Sequence, residues 1–190
     1  SSSRRRQAGS DPPTFVTISP TKRCNLQCTG CYAGSTSADA ATLSYDVFTR
    51  ILDEKREEWG SHFTVISGGE PLMYKSQGKN LLDVVEEYKD NYFMMYTNAT
   101  LITDQVAQRM SELGNIVPAI SVEGWEAETD ERRGKGVFQK TLKAMENLRR
   151  HGVPFGISVT ATRHNAETVL SDEFMNFFFD TQGAIFGWIF

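Results

Sequence analysis

The chain has 190 residues, 39% of them hydrophobic and 23% charged, which is ordinary for one soluble globular domain. Its net charge of −4 provides no broad basic field, so we expect neither nucleic acid nor an anionic membrane as a partner. No apolar run approaches the roughly 20 residues of a membrane span, and no signal peptide is recognisable, so the sequence predicts a cytoplasmic protein.

The chain begins with a polar segment, residues 1–13, that is rich in serine and arginine and ends in Pro12-Pro13. We predict a flexible arm there and one domain over residues 14–190. β-Branched and aromatic runs predict strands at 15–18, 62–67, 92–96, 116–122, 155–160 and 184–190. Helical spacing and capping residues predict helices at 43–59, 81–89, 104–113, 137–150 and 172–180.

This alternation of six strands and five helices with short connections predicts a parallel α/β sheet with right-handed crossovers. A flat doubly wound sheet and a partial β/α barrel fit the pattern equally well. The chain stops inside the sixth predicted strand, so we expect a protein that is truncated at its C-terminus.

All three cysteines of the chain, Cys24, Cys28 and Cys31, lie within eight residues after the first predicted strand. An odd, clustered set favours a metal site over a disulfide framework. A zinc site normally has four protein ligands, and the three histidines of the chain, His62, His151 and His164, are all distant in sequence from the cysteines. Three thiolates fit a 4Fe–4S cluster better, because one iron then stays open for an exchangeable ligand.

Polar residues also follow the other predicted strands, at the end where parallel β/α folds carry their functional loops. The second strand is followed by Gly68-Gly69-Glu70-Pro71, and the third by Thr97-Asn98. Ser121 and Glu123 stand at the end of the fourth, and Thr160 at the end of the fifth. Polar or thiol groups therefore lie on five loops at the carboxyl-terminal edge of the predicted sheet, which we call the rim, and this predicts a single site.

Five segments together resemble the radical SAM superfamily over about residues 14–190. The cysteine loop Cys24-Asn25-Leu26-Gln27-Cys28-Thr29-Gly30-Cys31-Tyr32 is similar to the form found in members with SPASM or twitch C-terminal extensions. Gly68-Gly69-Glu70-Pro71 matches the second hallmark of the superfamily. Weaker matches are Thr97-Asn98-Ala99-Thr100-Leu101-Ile102, Ser121-Val122-Glu123-Gly124 and Asp130-Glu131-Arg132-Arg133-Gly134.

The resemblance implies a partial (β/α)6 TIM-like barrel that binds a 4Fe–4S cluster and S-adenosylmethionine. Cys24, Cys28 and Cys31 would hold the cluster. The backbone at Gly68 and Gly69 would approach the methionyl ammonium, which would also donate to the Glu70 carboxylate. The other implied contacts are Ser121 and Arg133 with the methionyl carboxylate, Glu123 with the ribose hydroxyls, and Thr97, Asn98 and Thr160 as polar lining.

The implied activity is reductive cleavage of S-adenosylmethionine to a 5′-deoxyadenosyl radical that abstracts hydrogen from an unidentified substrate, with a peptide or protein as one option. Flavodoxin or ferredoxin would supply the electron. Two alternatives stay open: a non-catalytic scaffold that binds zinc or an iron–sulfur cluster, and a domain that senses S-adenosylmethionine. Gly30 departs from the aromatic residue common at its position, so we expect adenine to pack on Tyr32 or on the sixth strand.

Overall fold

The computed structural model describes residues 12–34 and 40–190. The arm predicted over residues 1–13 lies outside the described residues, apart from Pro12 and Pro13. Within the described ranges, no helix combines the length and the apolar character that crossing a membrane requires.

The strands form one large sheet and one small hairpin. They are β1 (Phe15–Ile18), β2 (Phe63–Ile66), β3 (Lys75–Ser76), β4 (Lys79–Asn80), β5 (Tyr92–Thr97), β6 (Ile116–Val122), β7 (Gly156–Val159) and β8 (Gly187–Ile189). β3 and β4 pair antiparallel, whereas the other six are parallel in the order β1-β2-β5-β6-β7-β8 and curl into a half-barrel. A doubly wound sheet would reverse its strand order at a switch point. The uninterrupted order therefore confirms the partial barrel and rules out the flat alternative.

The helices connect the parallel strands. They are α1 (Tyr45–Trp59), α2 (Leu81–Glu87), α3 (Asp104–Leu113), α4 (Glu126–Arg133), α5 (Val137–Arg150), α6 (Ala166–Val169) and α7 (Asp172–Met175). Local capping explains why most predicted ends agree with the structure. For α3, the Thr103 hydroxyl accepts from Val106 N at 3.2 Å, and Gly114 ends the helix at a φ of 72°.

Three helical segments differ from prediction, and one of them is α6, which the sequence did not predict. The sequence did not predict α4, because its residues are almost all charged and only Thr129 is buried. The helix predicted at 172–180 continues beyond α7 as a wider π-type turn, Asn176–Thr181. This turn places Phe177 and Phe178 against Trp125, with ring centroids 5.2 and 6.4 Å from it.

Strand residues alternate between the two faces of the half-barrel. Ile66, Met95 and Ile120 belong to the large core that the helices cover. The concave face has a smaller apolar cluster, which consists of Val65, Met94, Val117 and Ala119 with Phe63, Tyr96 and Phe186 packed against it. The interior of the half-barrel is thus filled in its lower part and open toward the carboxyl ends of the strands.

Candidate functional site

A cavity of about 480 Å³ lies at the carboxyl ends of the parallel strands. This volume falls within the range of about 300–1,000 Å³ that is usual for small-molecule sites. Ten of the twelve predicted site residues line it: Cys24, Cys28, Cys31, Gly68, Gly69, Thr97, Asn98, Ser121, Arg133 and Thr160. The other two, Glu70 and Glu123, are buried outside this lining.

The loop after β1 brings the three partly buried cysteines to one side of the cavity. Leu26 N donates to Cys24 Sγ at 3.4 Å, and a turn from Cys28 O to Cys31 N at 3.2 Å passes through Gly30 at a φ of 67°. Burial raises the pKa of the Cys24 and Cys28 thiols, and the Arg133 guanidinium opposes that effect at Cys28. Three thiolates on one short loop are the donor chemistry of an iron–sulfur cluster.

The histidines stand away from this loop. His62 Nδ1 lies 2.9 Å from Asp90 O, and His151 Nε2 lies 3.0 Å from Asp104 Oδ1, while His164 is exposed. Across residues 12–34 and 40–190, no three His, Cys, Asp or Glu side chains converge closely enough to share one metal ion.

The glycine pair after β2 lies directly against the backbone that leads into the cysteine loop. Gly69 N donates to Thr21 O at 2.9 Å, and Glu70 N donates to Arg23 O at 2.7 Å. A Cβ at Gly69 would stand 2.1 Å from Arg23 O, and one at Gly68 would stand 2.6 Å from Thr21 O. The absence of side chains at these positions is therefore required by contact between two chain segments, in addition to any approach by a ligand.

Glu70 is fully buried, and its carboxylate faces the end of β5. It accepts from the Thr97 hydroxyl at 2.9 and 3.0 Å, from Asn98 N at 2.9 Å and from Leu72 N at 3.1 Å. Burial raises the pKa of Glu70 to about 6, although these hydrogen bonds favour the charged form. The structure therefore does not bring the Glu70 carboxylate to the cavity surface, because its oxygens are already engaged by the loops that form the cavity.

Glu123, at the end of β6, is paired with the last turn of α4. Its Oε1 accepts from Arg133 Nε at 2.8 Å and from Arg133 Nη2. Arg132 Nη1 lies 2.6 Å from the same oxygen, in an ion pair whose angles do not make a hydrogen bond. The Oε2 oxygen is buried with no hydrogen-bond partner among the described residues.

Aromatic side chains complete the lining. Tyr32 and Phe190 both reach the cavity, at the two places from which the sequence predicts adenine packing. The Tyr32 hydroxyl lies 2.6 Å from Ser67 Oγ, and it accepts from Gly68 N at 3.3 Å. Phe190 contacts Tyr96 edge-on, with ring centroids 6.0 Å apart.

Sequence reasoning missed four lining residues, namely Ser67, Tyr96, Arg132 and Ser158. Tyr96 lies two residues beyond Met94, and both belong to or pack against the concave cluster. Period-two alternation along the predicted third strand would have placed Tyr96 on this face. Arg132 has no such local signal, because its position depends on α4.

Comparison with known proteins agrees with the resemblance to the radical SAM superfamily seen in the sequence motifs. The family model for the Radical SAM superfamily matches residues 18–172. The chain is 33% identical over 170 residues to mycofactocin maturase MftC of Mycolicibacterium smegmatis, covering 88% of this chain and 42% of MftC. It is 29% identical over 165 residues to Fe-coproporphyrin III synthase of Methanosarcina barkeri, covering 86% of this chain and 41% of that enzyme. The chain thus spans less than half the length of both relatives.

Solved structures share the fold. SuiB of Streptococcus suis bound to S-adenosylmethionine superposes with a TM-score of 0.80 at 21% identity, covering 98% of this chain and 43% of SuiB. The anSMEcpe structure with bound AdoMet and the Cp18Cys peptide gives a TM-score of 0.76 at 22% identity, covering 94% of this chain and 50% of anSMEcpe.

Proposed function

Because this chain belongs to the radical SAM superfamily, we propose that residues 14–190 form the core domain of a radical SAM enzyme. Members of the superfamily use a 4Fe–4S cluster and S-adenosylmethionine. The chemistry that these groups supply when bound is the one-electron reductive cleavage of S-adenosylmethionine to methionine and a 5′-deoxyadenosyl radical, which abstracts hydrogen from a substrate. The observation that supports this proposal best is the position of all three cysteines on the wall of one cavity with the polar rim.

The residues of the cavity fit these groups by their chemistry. Cys24, Cys28 and Cys31 would hold the cluster. Arg133 lines the cavity with a planar guanidinium suited to a carboxylate, and Ser121 lines the same cavity as a hydroxyl donor. We assign both to the methionyl carboxylate.

The remaining polar groups suit the rest of the cofactor. We assign Glu123, whose unpartnered Oε2 is buried outside the cavity lining, to the ribose hydroxyls. The backbone at Gly68 and Gly69, which lines the cavity, suits the methionyl ammonium. Thr97, Asn98 and Thr160 supply polar lining. Glu70 would act on this lining indirectly, through its hydrogen bonds to Thr97 and Asn98.

Aromatic residues would hold the adenine and exclude water. Tyr32, Tyr96 and Phe190 line the same cavity as the polar residues. Aromatic rings provide large flat surfaces for such packing. In this arrangement Tyr32 and Phe190 take over the packing role of the aromatic residue that is common in the family at the position of Gly30.

We extend the proposal to the partners of the enzyme. A cytoplasmic one-electron carrier such as flavodoxin or ferredoxin would reduce the cluster, and the net reaction would be that of an oxidoreductase. A peptide is our proposed substrate, since the relative with 33% identity is a maturase and SuiB, which shares the fold, has been solved with its precursor peptide SuiA. The open mouth of the half-barrel would admit such a chain.

The test is anaerobic reconstitution with iron and sulfide, followed by reduction with dithionite in the presence of S-adenosylmethionine. We expect a brown protein that releases 5′-deoxyadenosine. Cys28→Ala should lose both signals, whereas Thr29→Ala, a change in the same loop, should keep them. A colourless protein that retains one zinc would contradict the proposal in favour of a metal-binding scaffold. Binding of S-adenosylmethionine without cleavage would favour a sensor.

A further inference from the structure

The turn after β5 contacts the cysteine loop through the Thr100 hydroxyl, which accepts from Asn25 Nδ2, and through the buried amide side chain of Asn98. Its Nδ2 lies 3.8 Å from Cys24 Sγ and 3.0 Å from Asn25 Oδ1. The first distance suits a hydrogen bond to sulfur, which is a larger atom than oxygen. Only 6% of the Asn98 surface is exposed, and the contact with Cys24 is part-buried at the cavity wall.

The orientation of the Asn98 amide is fixed by its other partners. Its Oδ1 accepts from Thr100 N at 2.9 Å and from Thr100 Oγ1 at 2.7 Å. A flipped amide would turn its NH2 group against the Thr100 N–H, which is also a donor. The nitrogen therefore faces Cys24, and the oxygen faces Thr100.

The backbone of Asn98 is held from the opposite side by the loop after β2. Asn98 N donates to Glu70 Oε2 at 2.9 Å, and the Glu70 carboxylate also binds the preceding residue, Thr97. The amide that reaches Cys24 thus extends from a backbone that the buried Glu70 carboxylate holds. A donor on such a support keeps its place when the loop binds a cluster.

Resting on the proposed function, we propose that Asn98 is a positioning residue that raises the reduction potential of the 4Fe–4S cluster by donating a hydrogen bond to the Cys24 sulfur. Reduction adds one electron to the cluster and increases the negative charge on its sulfur ligands. A fixed donor stabilises that charge, and hydrogen bonds to the sulfurs are among the determinants of cluster potential. Loss of the donor therefore lowers the potential.

The experiment is a potentiometric titration of the reconstituted protein with dithionite as the electron source, in which EPR measures the reduced cluster. The variants are Asn98→Ala and Asn98→Ser; the serine is too short to reach the sulfur but keeps a polar group near Thr100. At a fixed potential we expect the ratio of reduced to oxidised cluster to fall about tenfold in both, which corresponds to about 59 mV for a one-electron couple.

Asn25→Ala is the matched control. It removes the bonds from Asn25 to Asn98 and to Thr100, the latter at 2.8 Å, but leaves the Asn98 donor facing Cys24. Its potential should equal that of the wild type. Equal potentials in wild type and both Asn98 variants, or an equal fall in Asn25→Ala, would overturn the inference. Failure of the proposed function would differ, because the wild type itself would then form no cluster and release no 5′-deoxyadenosine.

Discussion

Replacement of Gly69 by alanine tests how the cysteine loop is held. The new Cβ would lie 2.1 Å from Arg23 O and 2.7 Å from the carbonyl carbons of Lys22 and Arg23. Ordinary contact begins at 3.4 Å, so the backbone immediately before Cys24 would have to move by 1.3 Å. That movement strains or breaks the bonds Gly69 N to Thr21 O and Glu70 N to Arg23 O.

The expected cost follows from these contacts. Two backbone hydrogen bonds contribute about 1 kcal/mol each, and overpacking adds about 1–3 kcal/mol, so Gly69→Ala should lower the free energy of unfolding by about 3–5 kcal/mol. Urea denaturation of the apoprotein measures this loss. Iron content after reconstitution should fall as well, because the displaced segment leads directly into the cluster loop.

Gly114→Ala serves as the comparison. Gly114 ends α3 at a φ of 72° with no atom near the position of an added Cβ, so the cost there is conformational, about 1–2 kcal/mol. Its iron content should match that of the wild type. If Gly69→Ala unfolded like Gly114→Ala and took up iron normally, the contact between Gly69 and Arg23 would not be what holds the loop.

Two further substitutions test the proposed cofactor contact of Arg133 and the buried lysine Lys55. Arg133→Gln should raise the KM for S-adenosylmethionine about tenfold, equivalent to about 1.4 kcal/mol, while Arg132 still pairs with Glu123. Assays of 5′-deoxyadenosine release measure this KM, and an unchanged value would contradict the role assigned to Arg133. Lys55 is almost fully buried and donates to Ser61 O at 2.7 Å, and burial lowers its pKa to about 8. Since an unfolded lysine keeps its proton up to a pH of about 10.4, the unfolded chain binds more protons between these values, and Lys55 makes the free energy of unfolding rise with pH there. Lys55→Met should lack this rise in urea titrations from pH 7.5 to 9.5, and parallel curves would refute it.

The helix ends show what sequence can predict. The bounds of α3 agree with prediction because Thr103 and Gly114 act within one turn of the helix they cap. By contrast, α4 is fixed by ion pairs from Arg132 and Arg133 to Glu123, which precedes the helix by several residues and lies at the end of a strand. The hydrophobic periodicity of the sequence does not predict ion pairs of this kind.

In the site, too, local features were predictable from the sequence and contacts between distant segments were not. The rim residues were predictable because strand ends in a parallel fold face one way. The partners of Glu70 were not, since its carboxylate could turn either to a ligand or to Thr97 and Asn98, and only the packing of β5 beside β2 decides between them. Likewise, the space beside Gly69 is occupied by a segment more than 40 residues earlier in the chain.

The cavity takes residues from one edge of the curled sheet to the other. Cys24 follows β1, the first strand in the sheet, and Phe190 follows β8, the last, yet both line the same volume. Binding of a cofactor therefore requires every strand between them to be in place, and a ligand of this kind binds the folded state alone. At a concentration of 100 times its Kd, such a ligand adds about 2.7 kcal/mol to the free energy of unfolding. Supply of the cofactor would thus govern how long the whole domain survives unfolding and proteolysis, as well as how fast it works.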